Sequence, residues 1–152
     1  MNVIEFGAKG DGIADDTAAI QRALDGAGEV FIPSGRYRIT KTLSVGSGTK
    51  ITADKDAVIF ACGEVLRGRG DFLLANRDHA KGNKDIEIRG GVFDGNNRGR
   101  LNKKGRDIFV PDGWSGASFN FFNVDGLKIA DMTSANSVAY NFRLCKVENF
   151  HF

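Results

Sequence analysis

Two stretches near the end of the chain decide its fold: "SFNFFNVDGLKI" (118–129) and "NFRLCKVENFHF" (141–152). Written one above the other, Phe119 meets Phe142, Phe121 meets Leu144, Val124 meets Val147, Asp125 meets Glu148, Leu127 meets Phe150 and Ile129 meets Phe152. Every pair is offset by 23 residues, an ungapped internal repeat. Within each copy, large apolar residues alternate with polar ones, the period of a strand with one buried face. Phe119, Phe121, Phe142 and Leu144 are expected to point inward, and Ser118, Asn120, Asn141 and Arg143 outward. A repeat in the low twenties with short strands predicts a β-solenoid in which each coil buries its inner side chains against the next. A β-sandwich, the rival, predicts hairpin turns and no fixed register.

An earlier copy, "NKDIEI" (83–88), resembles "NVDGLKI" (123–129), but Ile86 and Leu127 are 41 residues apart. One repeat of 23 leaves 18, about the length of a Gly- and Arg-rich segment that reads as a loop inserted near 96–113. Short strands broken by Gly, Asn and Asp are expected at "EVFIP", "RYRIT", "TLSV", "TKITA", "AVIFA", "DFLLA", "DIEIRG", "ASFNFF", "GLKIA", "YNFRL" and "NFHF". Pro33-Ser34-Gly35 is a turn signal. One helix is expected in "GDGIADDTAAIQRALDGAG", capped by Asp15 or Asp16, with Ile20, Ala23 and Leu24 on its apolar face and Gly26 and Gly28 ending it. The whole chain, 1–152, reads as one domain: strand and capping helix over 1–28, then coils over 29–152.

Composition limits the function. A formal charge of +2 on 152 residues is too mild for nucleic-acid binding. No apolar run is long enough to cross a membrane, and no charged-then-apolar leader precedes "MNVIEF". Cys62 and Cys145 form no close-spaced motif and are read as two separate thiols. Twenty glycines without a triplet period mean many turns, and twelve Phe mean a core of stacked rings.

"VIEFGAKGDGIADDTAAIQRALD" (3–25) followed by "GEVFIPSGRYRIT" (28–40) resembles the N-terminal signature of the pectate-lyase-like superfamily. The elements are a strand, a Gly-Asp loop, a capped helix, a strand and a Pro-x-Gly-x-Tyr turn. The resemblance implies an all-β fold, a right-handed single-stranded parallel β-helix, with the helix covering the N-terminal mouth. Polygalacturonase-like hydrolases, alginate epimerases, lyases and phage tailspikes share this opening, so it implies an architecture and not a reaction. "IEIRGGVFDGNNRG" (86–99) and the coils from 117 to 152 are similar to glycoside hydrolase family 28, the polygalacturonases and their relatives. That resemblance implies action on a pectin-type, uronic-acid polysaccharide, with no cofactor, and a secreted or periplasmic parent protein.

The departure from that family is specific. Its Asn-Thr-Asp, Asp-Asp, Gly-His-Gly and Arg-x-Lys motifs are missing from the coils; Asp15-Asp16 belongs to the helix start, and His79 and His151 stand in unrelated contexts. Inverting hydrolysis needs two carboxyl groups roughly 6.5–9.5 Å apart. The outward strip Ser118, Asn120, Asn141 and Arg143 offers none, so its expected role is binding, with Arg143 pairing with a uronate carboxylate. The basic loop "RGRLNKKGR" adds Arg98, Arg100, Lys103, Lys104 and Arg106 as candidate contacts to an anionic polymer, with Trp114 as a sugar platform or a loop anchor. Asp94 in "FDGN" reads as a turn residue, and Asp11, Asp15 and Asp16 lack the ligand spacing of a calcium loop. "GAKGDG" lacks the ending of a phosphate loop.

Two functions are therefore expected: the N-terminal part of a polysaccharide-degrading β-helix enzyme whose acids would begin about one coil further on, or a non-catalytic carbohydrate-binding or tailspike-type module. The chain by itself is expected to be inactive on polygalacturonate. An open coil end is further expected to favour self-association.

Overall fold

The computed structural model describes residues 1–26, 28–109 and 116–152. A 3-10 helix (Val3–Phe6) leads into β1 (Asp11–Asp15) and α1 (Thr17–Asp25). Then follow β2 (Glu29–Ile32), β3 (Gly35–Ile39), β4 (Leu43–Val45), β5 (Lys50–Ala53), β6 (Ala57–Ala61), β7 (Leu74–Asn76), β8 (Asn83–Arg89), β9 (Val92–Asp94), β10 (Ala117–Ala130), β11 (Thr133–Ala135) and β12 (Tyr140–His151). The strand ladders are parallel. One sheet runs β1-β3-β6-β9-β11; the other runs β2-β5-β8-β10-β7-β4, with β12 also on β10. Parallel strands in curled sheets of this kind fit a β-helix.

Register explains why the chain folds this way. Three apolar rows run across the strands: Val30, Ile51, Ile88 and Ile129; Tyr37, Ile59 and Phe93; and Leu43, Leu74, Phe119 and Phe142. All but Phe142 are buried, and Phe142 packs against the same cluster. Each such side chain contributes roughly 1.5–3 kcal/mol on burial, so slipping one strand by one residue turns a whole row to solvent. Phe119 stacks on Phe142 at 4.7 Å and meets Phe93 edge-on at 5.1 Å. The repeat read from the sequence is the pairing of β10 with β12: Phe119 opposite Phe142, Phe121 opposite Leu144, Leu127 opposite Phe150. Ile86 pairs directly with Leu127, so the extra residues between them leave the row intact.

The corners repeat as well. Asn123 and Lys146, which occupy matching places in β10 and β12, both take a left-handed backbone (φ 58° and 52°). Asn123 bends β10, whose residues before it pair with β7 and after it with β8. At Gly90 (φ 77°) a Cβ would lie 2.1 Å from the carbonyl oxygen of Ala53, so the close approach of neighbouring backbones requires glycine there.

α1 lies against the 3-10 helix and β4, burying Thr17, Ala19, Ile20, Ala23 and Leu24. Gln21 treats β4 as a strand would: its Nε2 donates to Ser44 O and its Oε1 accepts from Ser44 N, both at 2.9 Å. The side-chain amide thereby occupies a sheet edge that would otherwise be open.

Three local expectations need correction. "VIEF" is not a strand, because Asn2 Oδ1 accepts from Ile4 N and Glu5 Oε2 from Asn2 N, a capping box that closes a 3-10 turn. Asp16 occupies the N-cap position before Thr17 but makes no capping hydrogen bond with its side chain. Its buried carboxylate accepts instead from Lys9 N (2.6 Å) and Gly10 N (3.1 Å), fixing the preceding turn, while Asp15 Oδ1 accepts from Thr17 N at 3.1 Å. The expected pairs of short strands at 117–130 and 140–151 are each one long bent strand.

Candidate functional site

Alternation places Ser118 and Asn120 on the side of β10 opposite Phe119 and Phe121, yet Ser118 is 0% and Asn120 2% exposed. The outward face of this half of β10 is covered, so neither side chain can meet a polymer from solvent. That corrects the expected strip. Among the described residues the Ser118 hydroxyl has no hydrogen-bond partner, whereas Asn120 Oδ1 accepts from Arg143 Nη1 at 3.3 Å. Asn120 is thus a buried brace for Arg143.

The next strand is different. Asn141 and Arg143 are exposed on β12, with Asn120 directly opposite Arg143 in register. Ser134 Oγ donates to Asn141 Oδ1 at 2.9 Å, which orients that amide. Tyr140, 58% exposed, joins Phe142, Arg143 and Leu144 around an open hollow of about 300 Å³. On the outward face of β12 a braced guanidinium and a carboxamide stand two residues apart, a pair that suits a ring bearing a carboxylate and hydroxyls.

The basic loop does not act as one patch. Arg100 is half-buried and spent on structure: Nη1 donates to Gly95 O (3.1 Å) and Asn97 Oδ1 (3.3 Å), and Nη2 to Gly63 O (3.0 Å) and Val65 O (2.6 Å). Burial lowers its pKa, the cost of holding a guanidinium there. Lys103 Nζ lies 2.7 Å from Asp71 Oδ2, tying this loop to the one before β7, and Arg67 Nε donates to Leu101 O at 2.9 Å. Lys104 and Arg106 are exposed and each engages a neighbour; Arg98 is exposed. Of this group, then, Arg100 is removed from the binding candidates by its hydrogen bonds, and Lys103 is partly neutralised. Trp114 lies outside the described residues, as do positions 110–113 of the inserted loop.

Among the described acids, Asp94 serves a turn: Oδ1 accepts from Asn96 N at 2.8 Å and from Asn136 Nδ2 at 2.7 Å. Asp11 Oδ1 accepts from Ile13 N and Ala14 N, and hydrogen bonds from Ala14 and Ile13 hold its carboxyl below the usual range. Burial pushes Asp15 up, but hydrogen bonds from Thr17 and Thr40 outweigh it and leave its pKa lowered. Among the described residues no group of three or more His, Cys, Asp or Glu is placed to hold a metal ion. Cys62 and Cys145 are free thiols, and the hydrogen bond to Arg38 draws the Cys62 pKa down. No described helix is long and apolar enough to cross a membrane.

A charged row emerges only from the strand register. On the other half of β10, the outward row Glu29, Lys50, Glu87, Lys128 and His151 crosses five strands in register. Lys50 lies 3.9 Å from Glu29, and Lys128 3.3 Å from Glu87. Glu29, Lys50, Glu87 and Lys128 each stand one position before Val30, Ile51, Ile88 and Ile129, so the charged row follows the same offsets as that apolar row.

Comparison with known proteins follows the same architecture. The chain is 33% identical over 100 residues to the pre-neck appendage protein of Bacillus phage phi29, covering 64% of this chain and 12% of that one. It is 54% identical over 44 residues to mannuronan C5-epimerase AlgE5 of Azotobacter vinelandii, covering 26% of this chain and 4% of the epimerase. Its fold matches pre-mature gene product 12 of bacteriophage phi29 with a TM-score of 0.82 at 22% identity, over 99% of this chain and 21% of that one. It matches the family 28 exopolygalacturonase of Yersinia enterocolitica with a TM-score of 0.74 at 21% identity, over 98% of this chain and 36% of the enzyme. The chain thus spans only 12% of the length of the phage relative. A family model described as rhamnogalacturonase A/epimerase, pectate lyase-like, matches residues 1–98, well over half of the sequence, and the chain belongs to that family.

Proposed function

We propose that this chain is a section of a polysaccharide-directed, right-handed parallel β-helix, with coils of 23 residues where no loop is inserted, and that it grips uronic-acid polymer without cleaving it. The observation that carries this reading is exposed Arg143, braced from below by buried Asn120 and sharing the outward face of β12 with exposed Asn141. A guanidinium held by a buried amide is pre-oriented for a carboxylate and loses less freedom on binding. Asn120, Asn141 and Arg143 carry no carboxylate, so this surface is assigned recognition and not acid–base chemistry. Family membership supports a polysaccharide as partner, and the exopolygalacturonase and AlgE5 similarities favour a uronic-acid one.

A second reading has its own support. The 33% identity to a phage appendage protein favours a tailspike-type module in which the same surface binds a cell-wall glycan. Affinity electrophoresis through gels containing polygalacturonate or cell-wall glycan separates the two. Retardation by polygalacturonate that is lost in Arg143→Ala supports the first reading; retardation by cell-wall glycan alone refutes it.

A further inference from the structure

Asn123 divides the outward surface of β10 into two faces. Arg143 stands beside the first half; the charged row described above stands on the second. Next to that row, Gly126 lies between Asp85 on β8 and Asn149 on β12, since the flanking residues pair as Asp125–Lys84, Leu127–Ile86, Asp125–Glu148 and Leu127–Phe150. All three have a left-handed backbone, with φ of 53°, 84° and 51°. Two carry side chains and the middle one does not. A Cβ on Gly126 would come within 2.9 Å of Asp85 Oδ1, so the glycine keeps open the gap between the two polar side chains.

The gap and the charged row form one groove of about 390 Å³, lined by Asp85, Glu87, Lys50, Lys128, Asn149 and His151 over a floor that includes buried Ile86 and Leu127. The walls hold two carboxylates, a carboxamide, an imidazole and two ammonium groups, so donors and acceptors both face the opening. Asn149 Nδ2 is committed to Asp125 Oδ1 at 2.7 Å, leaving its carbonyl oxygen as an acceptor. Such a set matches neighbouring hydroxyls, each of which donates and accepts. The two lysines and two carboxylates cancel, so a polyanion gains no net attraction here, unlike at Arg143.

We propose that this groove is a second carbohydrate site, on a different face from the Arg143 hollow, and that it takes a neutral, hydroxyl-rich oligosaccharide. The proposal rests on the carbohydrate-directed reading above but uses none of the same residues. Isotope-labelled protein is titrated with millimolar neutral trisaccharides of glucose, mannose, galactose and N-acetylglucosamine and, separately, with trigalacturonate. At least one neutral sugar is expected to shift the amides of Asp85–Glu87, Gly126–Lys128 and Asn149–His151 while leaving Tyr140–Arg143 unmoved. Asn149→Gly, which suits the left-handed backbone, removes one wall and is expected to weaken that binding about tenfold. Gly126→Asn, also tolerant of that backbone, fills the gap and is expected to block it. Unchanged melting curves show that both variants fold, and Arg143→Ala is expected to leave neutral-sugar binding intact. No shift with any neutral trisaccharide, unchanged binding in folded Asn149→Gly, or groove shifts that depend on protein concentration alone would each overturn the proposal, the last by showing that the charged row pairs copies of the chain. Shifts from trigalacturonate at Tyr140–Arg143 report separately on the Arg143 reading.

Discussion

Phe119→Ala tests whether the apolar rows carry the fold. Phe119 is 0% exposed, stacks on Phe142 at 4.7 Å and meets Phe93 at 5.1 Å. Truncating a buried Phe costs about 3–5 kcal/mol, within which each lost ring pair accounts for about 0.5–1.5 kcal/mol. For a chain of this size that corresponds to a fall in Tm of roughly 6–20 °C. Phe152 gives the internal control: it also meets Phe142 edge-on, at 5.3 Å, but is 64% exposed. Phe152→Ala keeps the same chemistry without the burial and is expected to cost about 1 kcal/mol or less. Urea unfolding followed by far-ultraviolet circular dichroism reads both variants, with the slope checked for constancy. Equal losses in the two variants, or a Phe119→Ala loss below about 1 kcal/mol, would refute the claim that the rows are buried across neighbouring strands.

Further predictions follow from single contacts. Gly90→Ala places a Cβ against the Ala53 carbonyl and is expected to abolish soluble expression or lower Tm sharply, whereas Gly99→Ala, at an open left-handed position, is expected to cost about 1 kcal/mol, read by thermal melting. Arg100→Ala strands carbonyls that its guanidinium serves and is expected to destabilise by about 2 kcal/mol, while exposed Arg98→Ala stays within about 0.5 kcal/mol; urea midpoints compare them. Asp15 has a folded pKa below its usual 3.8, so its contribution is present above that value and is lost as pH falls through the folded pKa. Asp15→Asn is therefore expected to flatten the acid limb of the stability profile below about pH 4, and an unchanged limb would remove Asp15 from the acid response.

What the sequence shows and what it hides have physical causes. The rows through Phe119, Leu127 and their partners are legible because large side chains alternate with polar ones and repeat at one offset. Ile86 and Leu127 remain legible as partners because inserted loops lengthen a turn without changing which residues meet. β1 is hidden: in "DGIAD" the apolar residue, Ile13, is 79% exposed, and the strand is held by backbone pairing to β3. β9 and β11 are hidden too, being three-residue strands defined by their neighbours. Alternation assigns Ser118 and Asn120 to the side of the strand opposite Phe119 and Phe121 but cannot show that both are buried there, since burial depends on tertiary packing. For Arg100 the residue type suggested an anion and the fold supplied carbonyls instead. The charged row across β2, β5, β8, β10 and β12 becomes visible only once register is known.

Recognition of a uronic-acid polymer without cleavage is tested by calorimetry combined with a reducing-end assay on the same samples. Polygalacturonate is titrated into the wild-type chain and Arg143→Ala at low and high salt. Salt-sensitive binding is expected, at least tenfold weaker in Arg143→Ala, with no rise in reducing ends over the time course. Equal binding by the two proteins, or reducing ends that accumulate with the wild-type chain, would contradict it.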